Sequence, residues 1–284
     1  MPRRADAGER ALGAHLDALL AGVDLEAGVA RDPLRFPKRY ADPADIEVAA
    51  AFSACLAFGR VSLFGPVIER VLAIADAHGG PAAFAQALSG NERLRPLLNG
   101  IQYRWLREED LYRLVQALGA AREARGSLAA FFAPGPGRHT LGQAMLQLRR
   151  HLRNDASPAL KSCFPDPEAG SACKRWCMFL RWMVRSGAPD LGLWTHLSSS
   201  QLVIPLDTHV FRVAGFLGLT TRAAAGWAAA EEITAHLRRF DSEDPVKYDF
   251  ALAHLGISGQ CLGVRDATVC PACALNPVCR APGG

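Results

Sequence analysis

The chain has 284 residues, of which half are hydrophobic and about a fifth are charged, so it can bury a large core and is neither disordered nor fibrous. Its 32 basic and 28 acidic side chains leave a net charge of +4, which permits a nucleic-acid partner without requiring one. The longest uncharged apolar run, residues 49–58, is about half of what a membrane-spanning helix needs, so we expect no membrane contact. The charged residues near Met1 leave no apolar stretch for a signal peptide, and we expect a cytoplasmic protein.

Apolar residues recur with helical spacing along nearly the whole chain. The predicted helices cover residues 10–20, 46–58, 63–78, 108–122, 141–152, 172–185, 210–217, 223–240 and 246–255. Only residues 201–206 alternate in the manner of a strand, so the sequence predicts an all-α fold. Proline and glycine cluster at 132–137 and at 164–167, which makes the stretch 134–167 a candidate lobe boundary.

Four of the eight cysteines fall within the last 24 residues, at Cys261, Cys270, Cys273 and Cys279. In a cytosolic chain such clustering indicates metal or redox chemistry rather than disulfides. A [4Fe–4S] cluster needs four converging thiolates, which two close cysteines with one more on either side can supply. Structural zinc sites usually show two closely spaced cysteine pairs, and this array has one. The sequence therefore predicts a [4Fe–4S] cluster, with zinc or no metal as the alternatives.

Asp207 is the second informative residue. Pro205 keeps the chain extended before it, and an amphipathic helix follows at once, so we expect Asp207 to be the N-cap of that helix. Backbone N–H groups and the helix dipole would keep its carboxylate ionised. A carboxylate fixed in this way can stabilise an adjacent oxocarbenium-like cation. The alternative is that Asp207 only caps the helix.

The run Leu-Asp-Thr-His-Val-Phe-Arg-Val at 206–213, followed by Leu-Gly-Leu at 217–219, resembles the catalytic-aspartate segment of the helix-hairpin-helix base-excision DNA glycosylases. Gly-Gln at 259–260 and Cys-Pro-x-Cys at 270–273 are similar to the cluster loop of the endonuclease III branch. The first spacer of the cysteine array departs from that branch, with eight residues here where six are common there. Segments 40–47, 57–61 and 170–194 also resemble a bacterial branch of the same superfamily.

In bifunctional members of this family a hairpin lysine forms a Schiff base with C1′ of the damaged nucleotide. Lys174 is the best match, because Gly170 stands four residues before it as the first hairpin glycine does in the family. The gap of 33 residues from Lys174 to Asp207 resembles that of the archaeal 8-oxoguanine glycosylases. A nucleophilic amine must be neutral, and a helix N-terminus and the neighbouring Arg175 both disfavour the ammonium form. If Lys174 is only a solvated lysine, Asp207 would activate water or support the cation alone.

The resemblance implies a two-lobed helix-hairpin-helix glycosylase fold with a C-terminal four-cysteine cluster loop at 261–279. Residues 1–40 would form an N-terminal helical segment that packs on the C-terminal lobe. Residues 41–155 would form a helical lobe, and residues 156–284 would form the lobe that carries the hairpin and the catalytic residues. The implied protein is a monomer that removes a damaged base from DNA, with an oxidised purine such as 8-oxoguanine as the leading substrate.

Five residues are candidates for DNA contact. Gly170 and Arg175 belong to the hairpin, and Arg60 stands between two predicted helices where it could meet the phosphate backbone. Tyr103 and Arg104 are the last two, and the run Tyr103-Arg104-Trp105 offers a stacking ring beside a phosphate or base-edge partner, as base flipping requires. The competing hypothesis is a non-catalytic DNA-binding protein that keeps the same scaffold and is stabilised by its iron–sulfur cluster.

Overall fold

A computed structural model describes residues 7–132, 141–152 and 157–283. These residues form α-helices joined by loops and short 3₁₀ turns, with no β-strand, which confirms the all-α prediction for this part of the chain. The helices are α1 Ala7–Ala21, α2 Leu25–Ala30, α3 Pro43–Leu56, α4 Val61–Asp76, α5 Pro81–Gly90, α6 Glu108–Arg125, α7 Leu141–Leu152, α8 Pro158–Lys161, α9 Lys174–Val184, α10 Thr208–Phe216, α11 Trp227–Leu237 and α12 Asp249–Ile257. Each of the nine predicted helices overlaps one of them, while α2, α5 and α8 were not predicted.

Helix α3 lies at the centre of the core, because every residue from Ile46 to Leu56 is buried. Its neighbours include α5 and α9. The buried carboxylate of Glu47 connects α3 to two other parts of the chain. It pairs with Arg122 of α6 and accepts a hydrogen bond from Trp194 Nε1 at 3.2 Å. A buried charge is tolerated only when it is paired and hydrogen-bonded, so Glu47 fixes the position of α6 relative to α3.

Helices α5 and α6 approach each other closely at Gly119. A Cβ atom at that position would lie 2.1 Å from the carbonyl oxygen of Ala85, so only glycine fits without moving a backbone.

Buried side chains from α1 to Leu275 in the cysteine loop form one hydrophobic cluster. The predicted lobe boundary between residues 155 and 156 lies outside the described residues. No helix in the described ranges is both long enough and apolar enough to cross a bilayer.

Candidate active site

Lys174 and Asp207 are brought together from two separate helix starts. Lys174 is the first residue of α9, and Asp207 is the N-cap of α10, where its Oδ1 accepts a hydrogen bond from Val210 N at 2.8 Å. Lys174 Nζ lies 4.0 Å from Asp207 Oδ2. Both side chains are partly exposed, at 32% and 39%, so a ligand can reach them from solvent. The predicted N-cap is present, and the amine and the carboxylate share one site.

The turn before Lys174 has two residues with a left-handed backbone. Gly170 has a φ of +84°, which glycine adopts without penalty, and Cys173 has a φ of +50°, which is unusual for a residue with a Cβ atom. The carbonyl of Gly170 is packed against the start of α11, because Trp227 N donates to it at 3.3 Å and a Cβ atom on Gly226 would lie 2.8 Å away. Gly170 is thus placed to shape the turn that presents Lys174.

A second carboxylate, Asp249 at the start of α12, belongs to the same electrostatic environment. Arg181 pairs with its Oδ2, and Arg181 stands seven residues after Lys174 on the same face of α9. Burial raises the pKa of Asp249 to about 6. The positive charges of Arg181 and Lys174 act to lower this pKa, and the negative charge of Asp207 raises it further. Asp249 Oδ1 is buried and has no hydrogen-bond partner among the described residues.

Sequence reasoning missed Asp249 because its role depends on Arg181, which lies 68 positions earlier in the chain. The local signal was an acidic residue in the first turn of an apolar helix, a common feature that stabilises a helix dipole and needs no further role.

Arg175 points inward from the turn. Its Nη1 donates to the carbonyl of Cys55 at 2.6 Å, its Nη2 donates to the carbonyl of Ser162, and its guanidinium lies 5.1 Å from the centroid of the Phe58 ring. These contacts occupy both terminal nitrogens with backbone carbonyls of the protein itself. Arg175 therefore holds the C-terminal end of α3 against Ser162, the residue that follows α8.

The predicted stacking residue Tyr103 is buried, being 5% exposed, and its hydroxyl donates to the carbonyl of Phe58. The exposed ring beside it is that of Trp105, at 49%. Arg104 lies between these two residues in sequence and is exposed, and Arg60 is exposed at the N-cap of α4. Of the three predicted cations, Arg60 and Arg104 thus lie at the surface while Arg175 faces inward, and of the two rings in the predicted stacking segment only that of Trp105 is exposed.

The four C-terminal cysteines are all free thiols and partly buried. Burial raises the pKa of Cys273, and the thiols of Cys261, Cys279 and Cys270 are near enough to raise it further. Cys270 Sγ also accepts a hydrogen bond from Asp266 N at 3.3 Å.

Arg265 closes this loop. Its Nη1 donates to Asn276 Oδ1 at 2.8 Å, and its Nη2 donates to the carbonyl of Cys279 at 2.7 Å. Within the described ranges no three His, Cys, Asp or Glu side chains stand together at metal-binding distances. The loop therefore gathers four soft ligands of the right type without arranging them as a coordination sphere.

No match is found among curated proteins or among solved structures. A family model described as a protein of unknown function (DUF2400) matches residues 32–258, a range that includes Lys174, Asp207 and Asp249 but ends before the four cysteines. Because this match covers most of the chain, the protein belongs to the DUF2400 family.

Proposed function

We propose that this protein is a DNA glycosylase that removes a damaged base, with an oxidised purine such as 8-oxoguanine as its leading substrate, and that it also cleaves the resulting abasic site. The observation that carries the proposal is the 4.0 Å separation between Lys174 Nζ and Asp207 Oδ2 at a solvent-accessible site. An amine and a carboxylate at this separation can act together on a single carbon atom.

In the proposed reaction the neutral amine of Lys174 attacks C1′ of the damaged nucleotide. The bond between C1′ and the base nitrogen breaks, and its electron pair leaves with the base. Asp207, held in place by its cap hydrogen bond to Val210 N, stabilises the positive charge that develops on the sugar. The departing base takes a proton from solvent, and the nitrogen now bound to C1′ loses a proton to Asp207. Asp207 passes this proton to the ring oxygen as the sugar ring opens, which gives a protonated imine between Lys174 and C1′, from which strand cleavage can follow.

The four thiols at Cys261, Cys270, Cys273 and Cys279 would hold a [4Fe–4S] cluster, with zinc as the alternative. Their donor type and their proximity around Cys273 support this assignment. Such a group supplies structural stability to a tail rich in proline and glycine, since metal binding is coupled to the folding of its ligand loop.

Borohydride trapping tests the reaction directly. The anaerobically purified protein is mixed in excess with duplex oligonucleotides, each of which carries one lesion, and 8-oxoguanine is compared with oxidised pyrimidines, uracil and an abasic site. We expect a covalent adduct with the wild type, none with Lys174→Ala, and base release about 10²–10³-fold slower with Asp207→Asn. Lys161→Ala, which removes an exposed lysine of α8, serves as the matched control and should trap like the wild type.

Release of free base without an adduct, lost in Asp207→Asn, would replace the lyase assignment with a monofunctional glycosylase. Salt-dependent DNA binding with neither adduct nor free base on any lesion would overturn the enzymatic proposal in favour of a non-catalytic DNA-binding protein.

A further inference from the structure

Trp105 is the one aromatic residue among the large hydrophobic side chains that the described residues leave exposed. Its ring stacks on Phe58, with centroids 4.9 Å apart and planes 21° from parallel. Its indole Nε1 donates to Ser162 Oγ at 3.1 Å. A ring that is stacked on one neighbour and hydrogen-bonded to another has little rotational freedom left, so this exposed aromatic surface is rigid before any ligand arrives.

The backbone around Trp105 is shaped to present it. Tyr103 and Leu106 exchange two backbone hydrogen bonds of 2.9 Å, which places Arg104 and Trp105 at the tip of a tight turn. Arg104 has a φ of +53°, a left-handed conformation that costs free energy in a residue with a side chain. A strained backbone that orders an exposed aromatic ring is a common feature of binding sites.

A cation borders the same surface. The Arg104 guanidinium lies 5.7 Å from the centroid of Phe58 and 6.0 Å from that of Trp105. Gly59 leaves room for this approach, because a Cβ atom there would lie 2.5 Å from Arg104 Nη2. Arg175, the residue that follows Lys174, lies 5.1 Å from the centroid of the Phe58 ring, but both of its terminal nitrogens are bonded to backbone carbonyls, so it supports the ring rather than binding a ligand.

We propose that Trp105, supported by Phe58, is a stacking platform for one unpaired base of DNA, and that Arg104 binds the phosphate next to that base. A flat π-surface bordered by guanidinium groups is complementary to a nucleotide, since the base stacks on the ring and the phosphate pairs with the cation. The inference rests on the proposed function for its ligand class, and it requires no chemistry at Lys174. It also places the stacked base beside the hairpin, because Arg175 contacts the platform.

The test uses the full-length protein and undamaged single-stranded oligodeoxynucleotides that carry an end label for fluorescence anisotropy. We expect Trp105→Ala to weaken binding roughly 5- to 150-fold, the range for loss of one base–aromatic stack, while Trp105→Phe retains most of the affinity. Leu97→Ala, which removes another exposed apolar side chain, is the matched control and should bind like the wild type. The logarithm of the binding constant falls linearly with the logarithm of the salt concentration, and Arg104→Gln should make this slope less negative by about 0.7, the value for one phosphate contact on a single strand.

A 2-aminopurine placed in the oligonucleotide reports stacking directly. Its fluorescence should fall on binding to the wild type and to Trp105→Phe, and the fall should be absent with Trp105→Ala. Equal affinities of Trp105→Ala and the wild type, equal losses with Leu97→Ala, or failure of the wild type to bind any single strand would each overturn the platform. A wild type that traps covalently on a lesion while Trp105→Ala traps equally well would refute the platform and leave the proposed glycosylase intact.

Discussion

Replacing Asp249 by asparagine tests the electrostatics of the candidate site through protein stability. Burial raises the pKa of Asp249 from an ordinary value of 3.8 to about 6, so the folded protein holds a proton that the unfolded chain loses at lower pH. Between about pH 4 and pH 6 the folded state therefore binds more protons than the unfolded state, and stability falls as pH rises. The difference between the two pKa values corresponds to about 3 kcal/mol. The asparagine side chain is an uncharged isostere and escapes this cost, while Arg181 keeps Asp190 as a partner at 3.1 Å.

The measurement is urea unfolding of both proteins by circular dichroism at several pH values from 4.5 to 7.5. We expect the free energy of unfolding of the wild type, relative to Asp249→Asn, to decrease by about 2 kcal/mol across this range, because the unfolded carboxyl is already mostly ionised at pH 4.5. Taking the difference between the two proteins cancels every other titrating group that the substitution leaves alone. A difference that stays constant, or that grows in favour of the wild type as pH rises, would show that ion pairing with Arg181 outweighs burial and would refute the reasoning.

Two further predictions concern packing and the cysteine loop. Gly119→Ala should lower the free energy of unfolding, measured in urea, by about 1–3 kcal/mol or more, because the new Cβ would meet a backbone oxygen at 2.1 Å. Gly215→Ala in α10 has open space around it and should raise the free energy of unfolding by up to about 1 kcal/mol. A mild effect at both positions would contradict the close approach of α5 and α6. Cys270→Ser should lose most of the iron and brown colour expected of the anaerobically purified protein. Cys177→Ser, which alters a buried thiol of α9, should keep both. Zinc as the sole metal in the wild type would contradict the iron–sulfur assignment.

The sequence predicted those features that depend on neighbouring residues. Helical spacing located nine helices, and Pro205 before an amphipathic run correctly placed Asp207 as an N-cap. Helix α5 was missed because it is short, begins at Pro81 after two glycines and has four alanines among its ten residues, which gives a weak periodic pattern.

Features set by contacts between distant segments could not be predicted in this way. Which of Tyr103 and Trp105 faces solvent depends on the left-handed backbone of Arg104 and on the hydrogen bond from Tyr103 to Phe58. The pairing of Arg181 with Asp249 similarly joins α9 to α12. In both cases the local sequence is compatible with several orientations, and the packing of the whole fold selects one.

The inward-facing Arg175 has a mechanical consequence. Because its guanidinium bonds to the end of α3 and to Ser162 while lying over Phe58, the aromatic surface and the start of α9 are joined as one stiff unit. If DNA contacts both, as we propose, it must adapt its own shape to their fixed spacing, so the nucleic acid is deformed rather than the protein. Sites whose base pairs are already weakened are deformed at lower cost. Discrimination between damaged and intact DNA would then begin with the stiffness of the duplex, before any pocket reads the chemical identity of the base.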